Sequence, residues 1–198
     1  PPLPRAKELA QRAIDLSPEE PHGYKAMHNV LWLMNDVPGS LAMGERAVAL
    51  NPFDTEAIGD LGTRRFYSGN WQGGMTLIQE AFRRNPAAPP AYRIPLALQA
   101  YFEGRYEDAL AEARRVELPH FIYTHVLVAM CAAANGRDRE SAEAVRRVLA
   151  IDPAFSRNAV ADLRSRNQHP RIIRAVAEGL SRAGLEIQGV SEISQAAP

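Results

Sequence analysis

The residues that most often bind metal ions or carry out acid–base catalysis are few in this sequence and widely spaced. The 198-residue chain contains five histidines and a single cysteine. A metal site on a helix typically uses two ligands four residues apart, because that spacing puts both on one face. No pair of histidines has this spacing, and no cysteine or carboxylate cluster accompanies them: they are His22, His28, His120, His125 and His169. The sequence therefore predicts no metal ion, no cofactor, no catalytic residues and no enzymatic activity.

Two other features with chemical meaning have simpler structural explanations. Cys131 has no second cysteine with which to form a disulfide, a zinc site or a redox pair, so we expect it to be a buried apolar side chain. The pair Gly73-Gly74 lacks the GKS or GKT signature and the preceding strand of a phosphate-binding loop. We expect Gly74 to serve close packing between helices.

Charge and hydropathy exclude two classes of partner. The chain has 23 basic and 23 acidic residues, so no overall charge attracts it to nucleic acid or to an anionic membrane. Between Arg137 and Arg182 ten arginines face six acidic residues, but Phe155 is the one aromatic there, and stacking on bases needs more. No apolar run approaches the roughly 18 residues of a membrane span. The sequence predicts neither a nucleic-acid partner nor a membrane segment.

Prolines that close helical patterns recur at a constant interval. They are separated by 34, 34, 33 and 34 residues and are Pro18, Pro52, Pro86, Pro119 and Pro153. Within each period a turn residue ends the first helix, at Asn35, Gly69, Gly104 and Gly136. Five residues later comes a small side chain that lets two helices approach closely, at Ser40, Gly74, Ala109 and Ser141. The pattern predicts a repeated helix-turn-helix hairpin.

These repeats resemble those of tetratricopeptide-repeat (TPR) proteins, whose unit is a helix-turn-helix of 34 residues. The resemblance covers Leu3 to Phe155 and implies an all-α fold, a right-handed superhelical solenoid of hairpins. His28 lies where such repeats usually carry a small residue, and we expect it to be partly buried and hydrogen-bonded across its hairpin. The predicted organisation is a repeat region 1–155, with a half repeat 3–18 and full repeats 21–54, 55–88, 89–121 and 122–155, then capping helices 156–185 and a flexible tail 186–198.

The third repeat departs from the pattern. It has an extra boundary proline in Pro89-Pro90 and places Pro95 inside its first helix. Because proline is tolerated better in the first turn of a helix than in its middle, we expect this helix to begin near Ala91 and to be kinked by Pro95.

A second resemblance concerns the end of the chain. The segments Leu149–Phe155 and Glu178–Leu185 are similar to the carboxyl ends of bacterial signalling proteins in which a TPR region follows a class III adenylate/guanylate cyclase or a winged-helix DNA-binding domain. This resemblance implies the regulatory end of a longer protein, and the opening Pro1-Pro2 fits an excised piece. No residue of a cyclase or winged-helix domain lies in the chain.

The expected binding surface is the inner wall of the solenoid, which the first helix of each hairpin lines. For the aromatic and methionine positions, packing between neighbouring hairpins is the alternative. Lys25 and Asn29 match the first-repeat pair of a family site that clamps a terminal carboxylate, but Asp60 replaces an amide there, so we do not expect carboxylate capture. The predicted partner-binding residues are Lys25, Asn29, Trp32, Asp60, Thr63, Tyr67, Leu98, Tyr101, Tyr123 and Met130.

Three functional hypotheses follow. The first is a non-catalytic module that binds a protein or peptide segment, or its own effector domain, and so regulates it. The second is a sensor of a small molecule or peptide that controls an attached cyclase or DNA-binding domain. The third is self-association as a homodimer through the exposed end near Leu9 and Leu16. We expect a cytoplasmic location, with the periplasm as the alternative if a membrane span precedes the fragment.

Overall fold

A computed structural model of the chain describes residues 2–191, and all regular structure in that range is helical. The helices are α1 (Pro2–Leu16), α2 (Pro21–Leu33), α3 (Val37–Leu50), α4 (Thr55–Tyr67), α5 (Trp71–Arg84), α6 (Arg93–Phe102), α7 (Tyr106–Arg114), α8 (Ile122–Ala134), α9 (Asp138–Ile151), α10 (Phe155–Ser165) and α11 (Pro170–Arg182). They divide between two compact units, Pro1–Pro89 and Pro90–Pro198.

The first unit contains α1 to α5. Its hairpins are α2–α3 and α4–α5, and α1 packs against α2. Ala10 of α1 meets Met27 and Leu31 of α2 in a buried apolar cluster that also includes Ile14 and Met43. Burying these side chains gives α1 its place in the unit, because one helix cannot bury its own apolar face.

The second unit contains α6 to α11. Its hairpins are α6–α7 and α8–α9, and α7 packs on α8. The last two helices do not continue this pattern, since α11 packs mainly on α8 and has little contact with α10. The interior of the unit includes Cys131, which is fully buried as expected, and burial raises the pKa of its thiol to about 12.

The turns of the four hairpins use the residues that the repeat pattern indicated. Asn35, Gly69, Gly104 and Gly136 all have positive φ, from 60° at Asn35 to 100° at Gly69. This left-handed conformation ends the first helix of a hairpin and lets the chain reverse. The turn prediction is therefore confirmed at all four positions.

The predicted close helix contacts are also confirmed. Ser40, Gly74, Ala109 and Ser141 are all buried. A Cβ atom on Gly74 would lie 2.6 Å from the backbone nitrogen of Phe66 and 2.7 Å from the carbonyl oxygen of Gly62. The two helices of this hairpin therefore touch through their backbones, which only glycine allows.

The third repeat is less regular than expected. A short 3-10 helix, Pro90–Tyr92, precedes α6, which begins at Arg93 and not at Ala91. Pro95 is then the third residue of α6 and lies buried in its first turn. Proline is compatible with that turn because its missing N–H would have no intrahelical acceptor there.

The end of the chain differs from the prediction as well. α10 begins at Phe155, inside the region assigned to the last repeat, and Gly184 has a positive φ after α11. Leu185 is buried, and the backbone N–H of Gln188 donates to the carbonyl oxygen of Ser156. Residues 186–191 are thus attached to α10 and are not a free tail, while 192–198 lie outside the described residues.

His28 is buried between the helices of the first hairpin, as expected for a histidine bonded across it. Its Nδ1 lies 2.7 Å from the carbonyl oxygen of Ser40, and the Ser40 hydroxyl donates to the His28 carbonyl oxygen at 2.8 Å. The imidazole therefore carries its proton on Nδ1 and is neutral. Burial and the nearby Arg64 charge lower the pKa of His28 to about 4.

We predict that His28 makes the first unit sensitive to acid. The folded state keeps the imidazole neutral down to about pH 4, whereas the unfolded state binds a proton near pH 6.5. Stability is therefore complete above pH 6.5 and falls on the order of 3 kcal/mol as the pH drops to 4. Urea denaturation across this range measures the loss.

The matched control is the exposed His22. The His22→Ala variant should lose stability with falling pH as the wild type does, whereas His28→Ala should lose less. Equal losses in His28→Ala and the wild type would show that other groups cause the acid sensitivity.

Candidate binding surfaces

Six of the predicted partner-binding residues lie on α2 and α4 of the first unit, and we name this surface the α2–α4 face. Lys25, Asn29 and Trp32 are spaced by four and three residues, so they share one side of α2. Asp60, Thr63 and Tyr67 share one side of α4 in the same way. Asn29 is exposed and the other five are half-buried, so the face is open to solvent.

Lys25 is neutralised by two carboxylates. Its Nζ lies 2.8 Å from Oδ2 of Asp54 and 3.2 Å from Oε2 of Glu56. Burial opposes the charged ammonium, but bonds to these two groups outweigh it and raise the pKa of Lys25. Bonds from Lys25 and from backbone N–H groups likewise outweigh burial and lower the pKa of Asp54. An incoming carboxylate would compete with two anions already bound, which adds to the reasons against a carboxylate clamp.

Arg64 joins α2 to α4 and was missed by sequence reasoning. Its Nη2 donates to Oδ1 of Asn29, and its guanidinium lies 5.5 Å from the centre of the Trp32 ring. Such cation–π contacts hold an aromatic ring in one orientation. A basic residue one helical turn after Asp60 was the available signal. The arrangement holds Asn29 and Trp32 in place, with Nδ2 of Asn29 directed away from the acceptor atom that Arg64 uses.

The four remaining predicted residues lie in the second unit, and the structure corrects the expectation that they form an open surface. Leu98 and Tyr101 of α6 and Tyr123 and Met130 of α8 are 2%, 7%, 7% and 0% exposed. Helices α10 and α11 cover this side of α6 and α8, which we name the α6–α8 face. Packing was the alternative for the aromatic and methionine positions, and the structure favours it here.

The contact between α11 and the α6–α8 face is closest at Gly179. A Cβ atom there would lie 2.6 Å from Cβ of Met130 and 3.1 Å from the Tyr101 hydroxyl oxygen. Nη1 of Arg182 donates to the Tyr101 hydroxyl at 3.1 Å, and the Arg171 guanidinium lies 4.4 Å from the Phe102 ring centre. Sequence reasoning identified α11 as a cap but did not place it on the predicted binding residues.

Tyr123 anchors α10 on the same face. Its hydroxyl donates to Oδ2 of Asp162 at 2.5 Å, its ring packs edge-on against Phe155, and the Arg166 guanidinium lies over the ring. Burial and the Asp162 carboxylate raise the pKa of Tyr123 well above its usual value. Bonds from Arg166 and Tyr123 overcome the effect of burial and lower the pKa of Asp162.

The chemistry of the described residues is that of binding. Residues 2–191 contain no group of three histidine, cysteine or acidic side chains placed to hold a metal ion. In the same range, no helix has the length and apolar character needed to cross a bilayer.

Comparison with solved structures decides the fold. YrrB, described as a TPR protein with an unusual peptide-binding site, matches with a TM-score of 0.60 and 18% identity over 94% of this chain and 95% of that one. MamA matches with a TM-score of 0.58 and 15% identity over 74% and 86%. The fold is TPR-like. A third TPR protein, TTC0263 of Thermus thermophilus, matches with a TM-score of 0.59 and 19% identity over 81% and 86%.

The TPR-like fold confirms the predicted all-α class built from hairpins, as in an α-α solenoid. The right-handed superhelix stays a prediction. No protein-family model matches the chain, and no curated protein matches its sequence.

We predict that the Tyr123 hydroxyl stabilises the second unit. The Tyr123→Phe variant keeps the ring packing but leaves Asp162 without this donor, which should cost about 2 kcal/mol because the acceptor is charged. Urea denaturation at neutral pH measures the change. Tyr106→Phe, at a half-buried tyrosine of α7, is the control and should change stability little. A loss as large in the control as in Tyr123→Phe would assign the effect to general repacking.

Proposed function

We propose that the chain is a non-catalytic module that binds a protein or peptide segment through the α2–α4 face. One observation carries the proposal: of the two faces that bear predicted binding residues, the α2–α4 face is open and the α6–α8 face is covered by the chain's own helices. A TPR-like fold supports it, and the peptide-binding site described for YrrB is a precedent. A segment of another protein could reach Asn29 and Tyr67 without displacing any described helix.

The chemistry of the face indicates what it would bind. Oδ1 of Asn29 accepts from Arg64, so the Asn29 amide N–H groups can donate to a peptide carbonyl. Trp32 and Tyr67 add aromatic surface for an apolar side chain, as at many binding hot spots. Because Lys25 is already paired with Asp54 and Glu56, the face suits an internal peptide segment better than a terminal carboxylate.

The wider role is part of the same proposal. We infer that the module is the regulatory end of a longer bacterial signalling protein and acts on an attached cyclase or winged-helix domain. The resemblance of Leu149–Phe155 and Glu178–Leu185 to such proteins supports this role. A cytoplasmic location follows from it as a hypothesis.

Self-association is a second candidate that one observation favours. Leu9 and Leu16 of α1 are 51% and 74% exposed. Apolar side chains so exposed are often covered in an assembly. Sedimentation of the wild type against a Leu9→Glu/Leu16→Glu variant decides between a dimer through α1 and a monomer.

We predict that peptides selected on this chain bind the α2–α4 face. A displayed random-peptide library is selected on the immobilised protein, and the Kd of each recovered peptide is measured by fluorescence anisotropy. The Asn29→Ala/Tyr67→Ala variant should weaken binding about tenfold or more, because the loss of a hot-spot contact costs at least about 1.4 kcal/mol.

The control replaces two exposed residues of α5 in the same unit, as Thr76→Ala/Gln79→Ala, and should leave the Kd unchanged. Circular dichroism checks that both variants remain folded. A selection that returns no binder, or binders that the face variant holds as tightly as the wild type, would count against the proposed site.

A further inference from the structure

We propose that the α6–α8 face is a helix-binding groove, that α11 is its intramolecular occupant, and that an amphipathic helix from a partner takes the place of α11 when α11 is dislodged. The proposal concerns the second unit and stands apart from peptide binding at the α2–α4 face.

The first argument is the pattern of α11 itself. Its buried residues lie on one side and its charged residues on the other, as in helices that bind apolar grooves. The buried residues are Ile172, Ile173, Val176, Ala177, Gly179 and Leu180. Arg171, Arg174 and Glu178 are exposed, and Arg182 is half-buried. The groove therefore contacts mainly the apolar side of this helix, which another helix of the same pattern can reproduce.

The second argument is the shape of the contact. At Gly179 the backbone of α11 meets Met130 so closely that even a methyl group would lie 2.6 Å from its Cβ. A helix that enters this groove needs glycine at this point. The groove therefore selects its occupant by shape as well as by apolar character.

The third argument is the way α11 is attached. It packs mainly on α8 and little on α10, so its departure would leave α10 on the groove. α10 keeps its own anchor in the Tyr123–Asp162 bond. The link between the two helices turns at Asn167, which has a positive φ of 58°, and a turn of this kind can change without breaking either helix.

Polar contacts hold the far end of α11 and would have to open. Arg182 donates to Tyr101, the Ser181 hydroxyl to Glu186, and the Gln188 N–H to the Ser156 carbonyl oxygen. Most of these groups are exposed or half-buried, so water can replace their partners at low cost. A partner helix that docks from this end would compete with α11 step by step.

The experiment uses a synthetic peptide of residues 169–185, labelled with fluorescein, as the partner helix. It is added to the full chain carrying Gly179→Val, whose added methyl groups exclude the chain's own α11 from the groove. Fluorescence anisotropy should show the peptide binding this variant at least about tenfold more tightly than the wild type, whose groove is filled. The same peptide carrying Gly179→Val should not bind either protein.

The matched control is Glu178→Val, which places the same residue type at the neighbouring exposed position of α11. It should bind the peptide as weakly as the wild type. Hydrogen exchange on the Gly179→Val chain should show α11 amides exchanging rapidly while α8 amides remain protected.

A folded, monomeric Gly179→Val chain that binds the peptide no better than the wild type would overturn the proposal. If that variant loses its helical circular dichroism, Arg171→Ala/Arg182→Ala takes its place, because it weakens the hold on α11 without adding bulk. Peptide binding to this second variant above the wild-type level supports the groove, and binding at the wild-type level overturns it.

Discussion

The hairpins of this protein depend on how closely two helices can approach at one small residue. At Gly74 the approach brings the backbone of α5 against the backbone of α4, and a methyl group would collide with both Phe66 and Gly62. Ser40 and Ser141 solve the same problem with a hydroxyl, which donates to the carbonyl oxygen of the residue twelve positions earlier. Because each hydroxyl finds its acceptor inside the hairpin, its burial leaves no polar group without a partner.

The same constraint appears again where the chain ends. Gly179 lets α11 approach Met130 as closely as the helices of a hairpin approach each other. Here, however, the partner is not the neighbouring helix in sequence but α8, which lies far earlier in the chain. A contact built like those inside the repeats thus places the last helix on residues that line an open wall elsewhere in the repeat pattern.

Charge has a different role in each unit. On the α2–α4 face, Lys25 and Arg64 are engaged with Asp54, Glu56, Asn29 and Trp32, and these links join α2 to α4 across an open surface. In the second unit the bond from Tyr123 to Asp162 and the ring contact with Arg166 hold α10 on a covered one. Preorganised side chains on an open face favour binding, because their ordering does not have to occur when a partner arrives.

The sequence by itself determined the repeat, its turns and its close helix contacts. Each of these depends on neighbours within one 34-residue unit: Asn35 and Gly69 at the turns, Ser40 and Gly74 at the contacts, and His28 bonded across its hairpin. Only the tertiary structure decided which predicted binding residues are open. Arg64 reaches Asn29 over 35 positions, and Arg182 reaches Tyr101 over 81. Periodicity describes how a helix packs on its neighbours in the chain, and it carries no information about a helix that returns from far along the sequence to bury Tyr101 and Met130.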